Sequence, residues 1–170
     1  MIPLTLGQDD CDFYVSLVGP HACSILDLGC GTCMLCCCLA GRGHRVTGVD
    51  PAAAMLVVAK RKRHAEKIEW VESIAQSYRS QRRFDLIFMT GHAFQTLLTD
   101  ADALATLGTM RAHIKDRGRI VFETRNPNVK SDSFMKDSIP CIGLRSAGLA
   151  CCSQMLYARF LRVTGRNLRF

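Results

Sequence analysis

Apolar and polar positions fall into alternating blocks along the first 126 residues, and the blocks read as strands and helices in turn. Ser24-Ile25-Leu26-Asp27-Leu28 is a short apolar run ended by glycines, the pattern of a strand buried on both faces. Residues 34–42 predict a helix closed by Gly41 and Gly43. Arg45-Val46-Thr47-Gly48-Val49 predicts a second strand that ends at Asp50-Pro51, and Pro51 suits the start of a helix over about 52–63. Lys60, Arg61, Lys62 and Arg63 would then complement the dipole at the carboxyl end of that helix. Ile68-Glu69-Trp70-Val71-Glu72 alternates like a half-buried third strand, and Phe84-Asp85-Leu86-Ile87-Phe88-Met89 reads as a more apolar fourth. A helix capped by Asp100 or Asp102 runs to about His113, Asp116-Arg117-Gly118 predicts a turn, and Arg119-Ile120-Val121-Phe122-Glu123 predicts a fifth strand. Strand and helix at such short spacing predict an α/β fold, a mostly parallel sheet with helices on both faces.

Beyond Pro127 the pattern changes. Residues 127–140 are rich in Ser, Asp and Lys and read as a loop. Apolar positions at 149, 152, 156, 160 and 163 predict a helix over 144–163. The chain is therefore expected to divide into a domain over 1–127 and an atypical basic, helical segment over 128–170, leaving the sheet incomplete at its C-terminal end.

A chain of 170 residues, 48% apolar, suits a single packed core. It carries no run of about eighteen uncharged apolar residues, so no membrane partner is expected. Its start lacks a basic region followed by a long apolar stretch, which predicts a cytoplasmic protein. Of its ten cysteines, Cys30, Cys33, Cys36, Cys37 and Cys38 crowd into nine positions; reduced thiols packing as small hydrophobes are expected there. The net charge of +7 is concentrated in residues 127–170, which hold seven basic and two acidic side chains. That flank could meet a nucleic acid, although a solvated basic surface explains it as well.

The chemistry is concentrated in Leu26-Asp27-Leu28-Gly29-Cys30-Gly31-Thr32-Cys33. Two glycines one residue apart, between a strand and a helix, let the backbone approach a ligand where a Cβ would block it. A dinucleotide fingerprint would place a third glycine at position 34, which is Met. Asp27 just before the glycines would repel a pyrophosphate and welcome a positively charged group. Asp50, closing the second strand, can accept the hydroxyls of a ribose. Together they favour a cationic nucleoside over a phosphorylated one.

These residues resemble a known family. Ile25-Leu26-Asp27-Leu28-Gly29-Cys30-Gly31-Thr32 and Gly43-His44-Arg45-Val46-Thr47-Gly48-Val49-Asp50-Pro51 look like the first two motifs of class I, Rossmann-like, S-adenosylmethionine-dependent methyltransferases. Met55-Leu56, Phe84-Asp85-Leu86-Ile87 and Gly118-Arg119-Ile120-Val121-Phe122-Glu123-Thr124 continue the likeness in the right order, over residues 12–127. The resemblance implies S-adenosylmethionine as cofactor, with Gly29, Cys30 and Gly31 along its methionine part and Asp27 near its amino group. It further implies Asp50 and Pro51 at the ribose, Met55 and Ala75 at the adenine, and Thr90, Gly91 and His92 on the substrate side.

Some positions depart from the family pattern. Position 33, usually glycine, is Cys, which costs of order 1 kcal/mol if the backbone there has positive φ. Position 74, commonly acidic, is Ile, removing one hydrogen bond to the adenine. The tail does not resemble the family, which places the fifth strand near an open edge. Cys30-Gly31-Thr32-Cys33 and the Cys33–Cys36 pair have the spacing of redox or metal sites; the preferred reading keeps Cys30 in the turn, Cys36–Cys38 on the helix and no metal. Methyl transfer to a small-molecule or macromolecular acceptor needs no protein nucleophile, so His92 is the candidate base and no catalytic residue is firmly assigned. Tyr14 and Phe94 either reach the cofactor or pack in the core. The alternative functions are a non-catalytic cofactor-binding or regulatory protein of the same fold, and a thiol redox or metal protein.

Overall fold

The computed structural model describes residues 8–123 and the strand residues 149–152, 155–164 and 167–169. Helix α1 (Gln8–Val18) leads into β1 (Ser24–Leu28), α2 (Met34–Gly41), β2 (Arg45–Asp50), α3 (Ala53–Ala59), β3 (Ile68–Glu72) and β4 (Phe84–Met89). Then come α4 (Asp100–His113), β5 (Ile114–Glu123), β6 (Leu149–Cys152), β7 (Met155–Thr164) and β8 (Asn167–Arg169). All eight strands join one sheet in the order β3-β2-β1-β4-β5-β7-β6, with β8 paired to β7. Strands β1 to β5 pair in parallel, as expected; β7 lies antiparallel to β5, β6 and β8.

Alternate side chains of the central strands feed two cores. Ile25, Val46, Leu86, Phe88 and Val121 point to the side covered by α1 and α2, where Tyr14, Cys36 and Leu39 meet them. Leu26, Leu28, Val49, Ile87, Met89, Ile120 and Phe122 point to the other side and pack with Tyr78 and Met110 of α4. Chain order reverses between β1 and β4, and the carboxyl ends of those two strands open a crevice there.

Four expectations are corrected. Helix α3 stops at Ala59, so Lys60 to Arg63 lie in turns beyond it rather than in its last turn. Helix α4 is capped by Thr99, whose hydroxyl accepts from the Asp102 N–H, because a hydroxyl three residues ahead of a backbone donor fits the cap geometry. Residues 116–118 do not make a free turn: they lie inside β5, where the register with β4 slips between Phe84–Ile114 and Leu86–Arg119. The helix expected over 144–163 is absent among the described residues, which form β6 and β7 instead; β7 covers β5, so the fifth strand is not an open edge. The loop expected over 127–140 lies outside the described residues. Among the described residues no helix is long and apolar enough to cross a membrane.

Candidate functional site

Asp27 shares the parity of Ile25 on β1, so its carboxylate faces the first turn of α2 rather than α4. It is buried to 3% exposure. Its Oδ2 lies 3.3 Å from Cys36 Sγ and 4.0 Å from Cys33 Sγ, and its Oδ1 has no hydrogen-bond partner among the described residues. Burial, then the charges of Asp50 and Glu123, push its pKa up to about 7. A buried carboxylate in this state lacks a cation.

The turn after β1 is held over the end of β2. Gly29 and Cys30 both donate their N–H to the Val49 carbonyl, at 2.8 and 3.0 Å. Gly31 N–H donates to Asp50 Oδ2 at 2.7 Å, and Ala52 N–H to Asp50 Oδ1 at 2.8 Å. Each Asp50 oxygen keeps a second lone pair for another donor. Gly29 and Gly31 sit at φ +73° and +55°, which favours glycine. A Cβ on Gly29 would come 2.5 Å from Ala93 Cβ, whereas one on Gly31 would meet nothing within 4 Å. The first glycine lets two loops touch; the second leaves a bare backbone facing open space.

Thr90 and Gly91, just past β4, complete a cavity of about 80 Å³ with Asp27, Gly29, Cys30 and Gly31. Lys62 also lines it, its ammonium donating to Thr32 Oγ1 at 3.2 Å. Two larger hollows lie elsewhere: about 490 Å³ beside Arg45, Lys67 and Lys115, and about 570 Å³ beside Cys37, Arg42 and His64. Neither contains the glycines or Asp27, so chemistry rather than volume marks the site.

The remaining sequence-derived residues do not line this cavity. Pro51 and Met55 follow Asp50 and are exposed. Ser73 N–H donates to the Asp50 carbonyl, which sets the loop carrying Ala75 beside β2, but Ala75 itself is buried in the core. His92 is half-buried in a left-handed conformation, φ +69°, and its N–H donates to Glu123 Oε1 at 3.2 Å. Tyr14 is core, edge-on to Phe88, with its hydroxyl donating to Glu123 Oε2 at 2.5 Å. Phe94 stacks on Phe122 at 4.6 Å.

The expectation of wholly reduced cysteines is corrected: Cys33 and Cys36 are joined through their sulfurs. Positions three apart at the start of a helix share a face, so the bridge needs no long-range fold. Among the described residues, Cys23, Cys30, Cys37 and Cys38 are not in a disulfide. Burial, then Asp27 and Asp50, push the Cys30 thiol up, so it stays protonated and a poor nucleophile.

Sequence reasoning missed three groups. Glu123 ends β5 beside the crevice, a signal available once the strand was placed. Lys62 was read as a helix-end charge. The Cys33–Cys36 spacing was visible but discounted.

A parallel sheet reversing between β1 and β4, with acidic strand ends and a glycine turn at the reversal, defines the Rossmann-like methyltransferase architecture. Residues 25–118 match the family described as methyltransferase domain, and the chain belongs to it. It is 33% identical over 111 residues to a ubiquinone biosynthesis O-methyltransferase of Rhodopseudomonas palustris strain BisA53, covering 63% of this chain and 42% of the relative. Among solved structures it is similar to SAM-bound CalS10, an amino pentose methyltransferase of Micromonospora echinaspora: TM-score 0.62, 25% identity, 94% of this chain and 62% of that one. A TehB-like SAM-dependent methyltransferase of Corynebacterium glutamicum shares the fold, with TM-score 0.62, 24% identity, and 69% and 62% of the two chains covered. The chain spans less than half the length of the curated relatives it matches.

Proposed function

We propose that this domain binds S-adenosylmethionine across the carboxyl ends of β1, β2 and β4 and transfers its methyl group to an acceptor. The observation that carries this reading is the orphaned, buried Asp27 carboxylate above a glycine turn open to a ligand. A cation satisfies it; a phosphate would worsen it.

The residues fit the cofactor. Asp27 accepts from its ammonium, and Lys62, on the same cavity, attracts its carboxylate. Gly29, Cys30 and Gly31 line the methionine part, and the free lone pairs of Asp50 accept the ribose hydroxyls, with Pro51 beside them. Met55 and Ile74, both exposed and apolar near the ends of β2 and β3, offer the adenine a flat apolar surface, with Ala75 behind. Bound there, the cofactor supplies a methyl group on a sulfonium, already a good leaving group. The chain's task is alignment and exclusion of water. Thr90, Gly91 and His92 form the acceptor side, and His92 is the candidate base for an acceptor whose nucleophilic oxygen or nitrogen must lose a proton.

The acceptor is a small or macromolecular nucleophile; a small-molecule oxygen or nitrogen is favoured by the names of the relatives. Residues 1–127 carry the cofactor site in this reading, and β6, β7 and β8 of the basic C-terminal part extend the same sheet. A cytosolic setting belongs to this reading and is supported by Cys23, Cys30, Cys37 and Cys38, which are unbridged among the described residues.

Isothermal titration with S-adenosylmethionine tests the proposal. Saturable binding at micromolar to sub-millimolar cofactor is expected, and no binding at millimolar concentration contradicts it. Binding without turnover on any nucleophile offered would favour the non-catalytic alternative.

A further inference from the structure

Cys33 and Cys36 stand where the glycine turn becomes α2, with Cα atoms 5.3 Å apart, and theirs is the disulfide found among the described residues. Both are buried, yet Cys33 lines the cavity above Asp27. Cys33 is the residue before the helix, held at φ +57° and ψ +57° with no side-chain cap. That conformation strains an L residue and is normally left to glycine. The bridge ties this strained position to the first turn of α2. It also sets both sulfurs against Asp27 Oδ2, at 3.3 and 4.0 Å, while Oδ1 is left without a partner.

We infer that Cys33 and Cys36 form a thiol–disulfide switch that sets how tightly the Asp27 cleft holds its cofactor, the bridged form binding tightly and the reduced form weakly. This rests on the reading that the cofactor ammonium meets Asp27.

Two consequences of reduction act in the same direction. A bridged sulfur has no proton to give, so the carboxylate gains nothing from its two sulfur neighbours and depends on an incoming cation. Once reduced, each thiol carries a proton it can donate to Oδ2, and that donation competes with the ammonium. Reduction also removes the tie that holds Cys33 in its left-handed conformation, freeing the turn that carries Gly31.

The chemistry balances with a small dithiol as reductant. Its thiolate attacks Cys33 Sγ from the cavity, the Cys33–Cys36 bond breaks, and Cys36 leaves and takes a proton from water. The second thiol of the reductant, as thiolate, then displaces Cys33 and closes the reductant into a cyclic disulfide, and Cys33 takes the second proton. Two electrons have passed to the protein. A low-molecular-weight disulfide such as oxidised glutathione reverses the step, leaving as two thiols.

By linkage, a bridge that tightens cofactor binding is itself favoured by bound cofactor, by the same factor. The experiment uses the full chain equilibrated in graded mixtures of reduced and oxidised dithiothreitol, with and without S-adenosylhomocysteine. After alkylation, peptide mass spectrometry counts the thiols at 33 and 36, and titration calorimetry gives the affinity of each form. About tenfold weaker binding is expected for the reduced chain, a size typical of coupled sites. An equal shift in the dithiothreitol ratio that half-reduces the bridge should accompany bound ligand. Cys33→Gly/Cys36→Ala, which has no thiol proton to compete for Asp27 and a glycine that takes the left-handed conformation without a tie, keeps the test open if Cys33→Ala/Cys36→Ala does not fold; it should bind like the bridged chain, and binding as weak as that of the reduced chain overturns the switch. Equal affinity in both redox forms overturns the switch while leaving the cofactor reading intact. Binding in neither form overturns the cofactor reading and the switch together, and a bridge mapped to Cys30 rather than Cys36 overturns the switch.

Discussion

Tyr14 on α1 donates its hydroxyl to Glu123 at the end of β5, at 2.5 Å and across 109 positions of sequence. The other oxygen of Glu123 takes the N–H of His92, so one buried carboxylate fastens the amino-terminal helix and the loop after β4 to the same strand end.

Tyr14→Phe therefore leaves a buried carboxylate short of a donor. It is expected to cost about 1–3 kcal/mol of stability, read as a lowered denaturant midpoint with unchanged slope. Cofactor affinity should fall with it, because the His92 loop loses its anchor. An unchanged midpoint would remove Glu123 from this role.

Asp27 makes the cleft sensitive to pH. Its folded-state pKa is raised from 3.8 to about 7, by burial first and then by Asp50 and Glu123. The folded chain thus holds a proton that the unfolded chain has lost, and this group's destabilising effect is absent below about pH 4 and complete above about pH 7. Asp27→Asn should accordingly be more stable than the parent at pH 8 and equal to it near pH 4, by thermal unfolding in the absence of ligand. Cofactor affinity should rise as pH climbs to about 7, then fall near 8 as an α-ammonium deprotonates. The acid limb should vanish in Asp27→Asn.

The two glycines of the turn should respond differently. Gly29→Ala drives a Cβ to 2.5 Å from Ala93 Cβ at a positive φ, so it should both destabilise the fold and spoil the site. Gly31→Ala meets no protein atom within 4 Å and carries only the backbone penalty, about 1 kcal/mol. A loss of cofactor affinity well beyond that penalty would mean that a ligand fills the open space there. Calorimetry and denaturation on both variants separate the two effects.

At the opposite end of the sheet, Asp85 ties three strands. Burial raises its pKa, but the Lys115 ammonium and the Ser24 N–H and hydroxyl outweigh that and hold it at about 2. Lys115 Nζ and Ser24 Oγ lie 2.8 and 2.7 Å from its Oδ2. The stability this group supplies is present above about pH 4 and lost as pH falls toward 2. Because Asp85 is partly exposed, Asp85→Ala should cost only about 1 kcal/mol at neutral pH, with the difference closing in acid.

The central fold was legible because its signals are local. An apolar run ended by glycines fixed β1 and its turn, and an acidic residue before Pro51 closed β2. The cap of α4 is legible too, since Thr99-x-x-Asp102 is a capping pattern and the Thr99 hydroxyl accepts from the Asp102 N–H. The strands over 149–169 were not legible: apolar positions three and four apart match a helical period. Only the pairing of β7 with β5, a contact between distant segments, makes them strands. Asp27, Gly29, Cys30, Gly31, Thr90 and Gly91 converge on one cavity, as the strand-end logic implied. Glu123 and Lys62 entered only with geometry, since their closeness to that cavity depends on how β5 and the turn after α3 are laid against it.

The pairing of Asp27 with an ammonium is tested most directly by comparing S-adenosylhomocysteine with 5′-methylthioadenosine, which lacks the amino-acid part, on the parent and on Asp27→Asn by calorimetry. The parent should prefer S-adenosylhomocysteine by at least about tenfold, and the substitution should erase most of that preference. An undiminished preference in Asp27→Asn would contradict it.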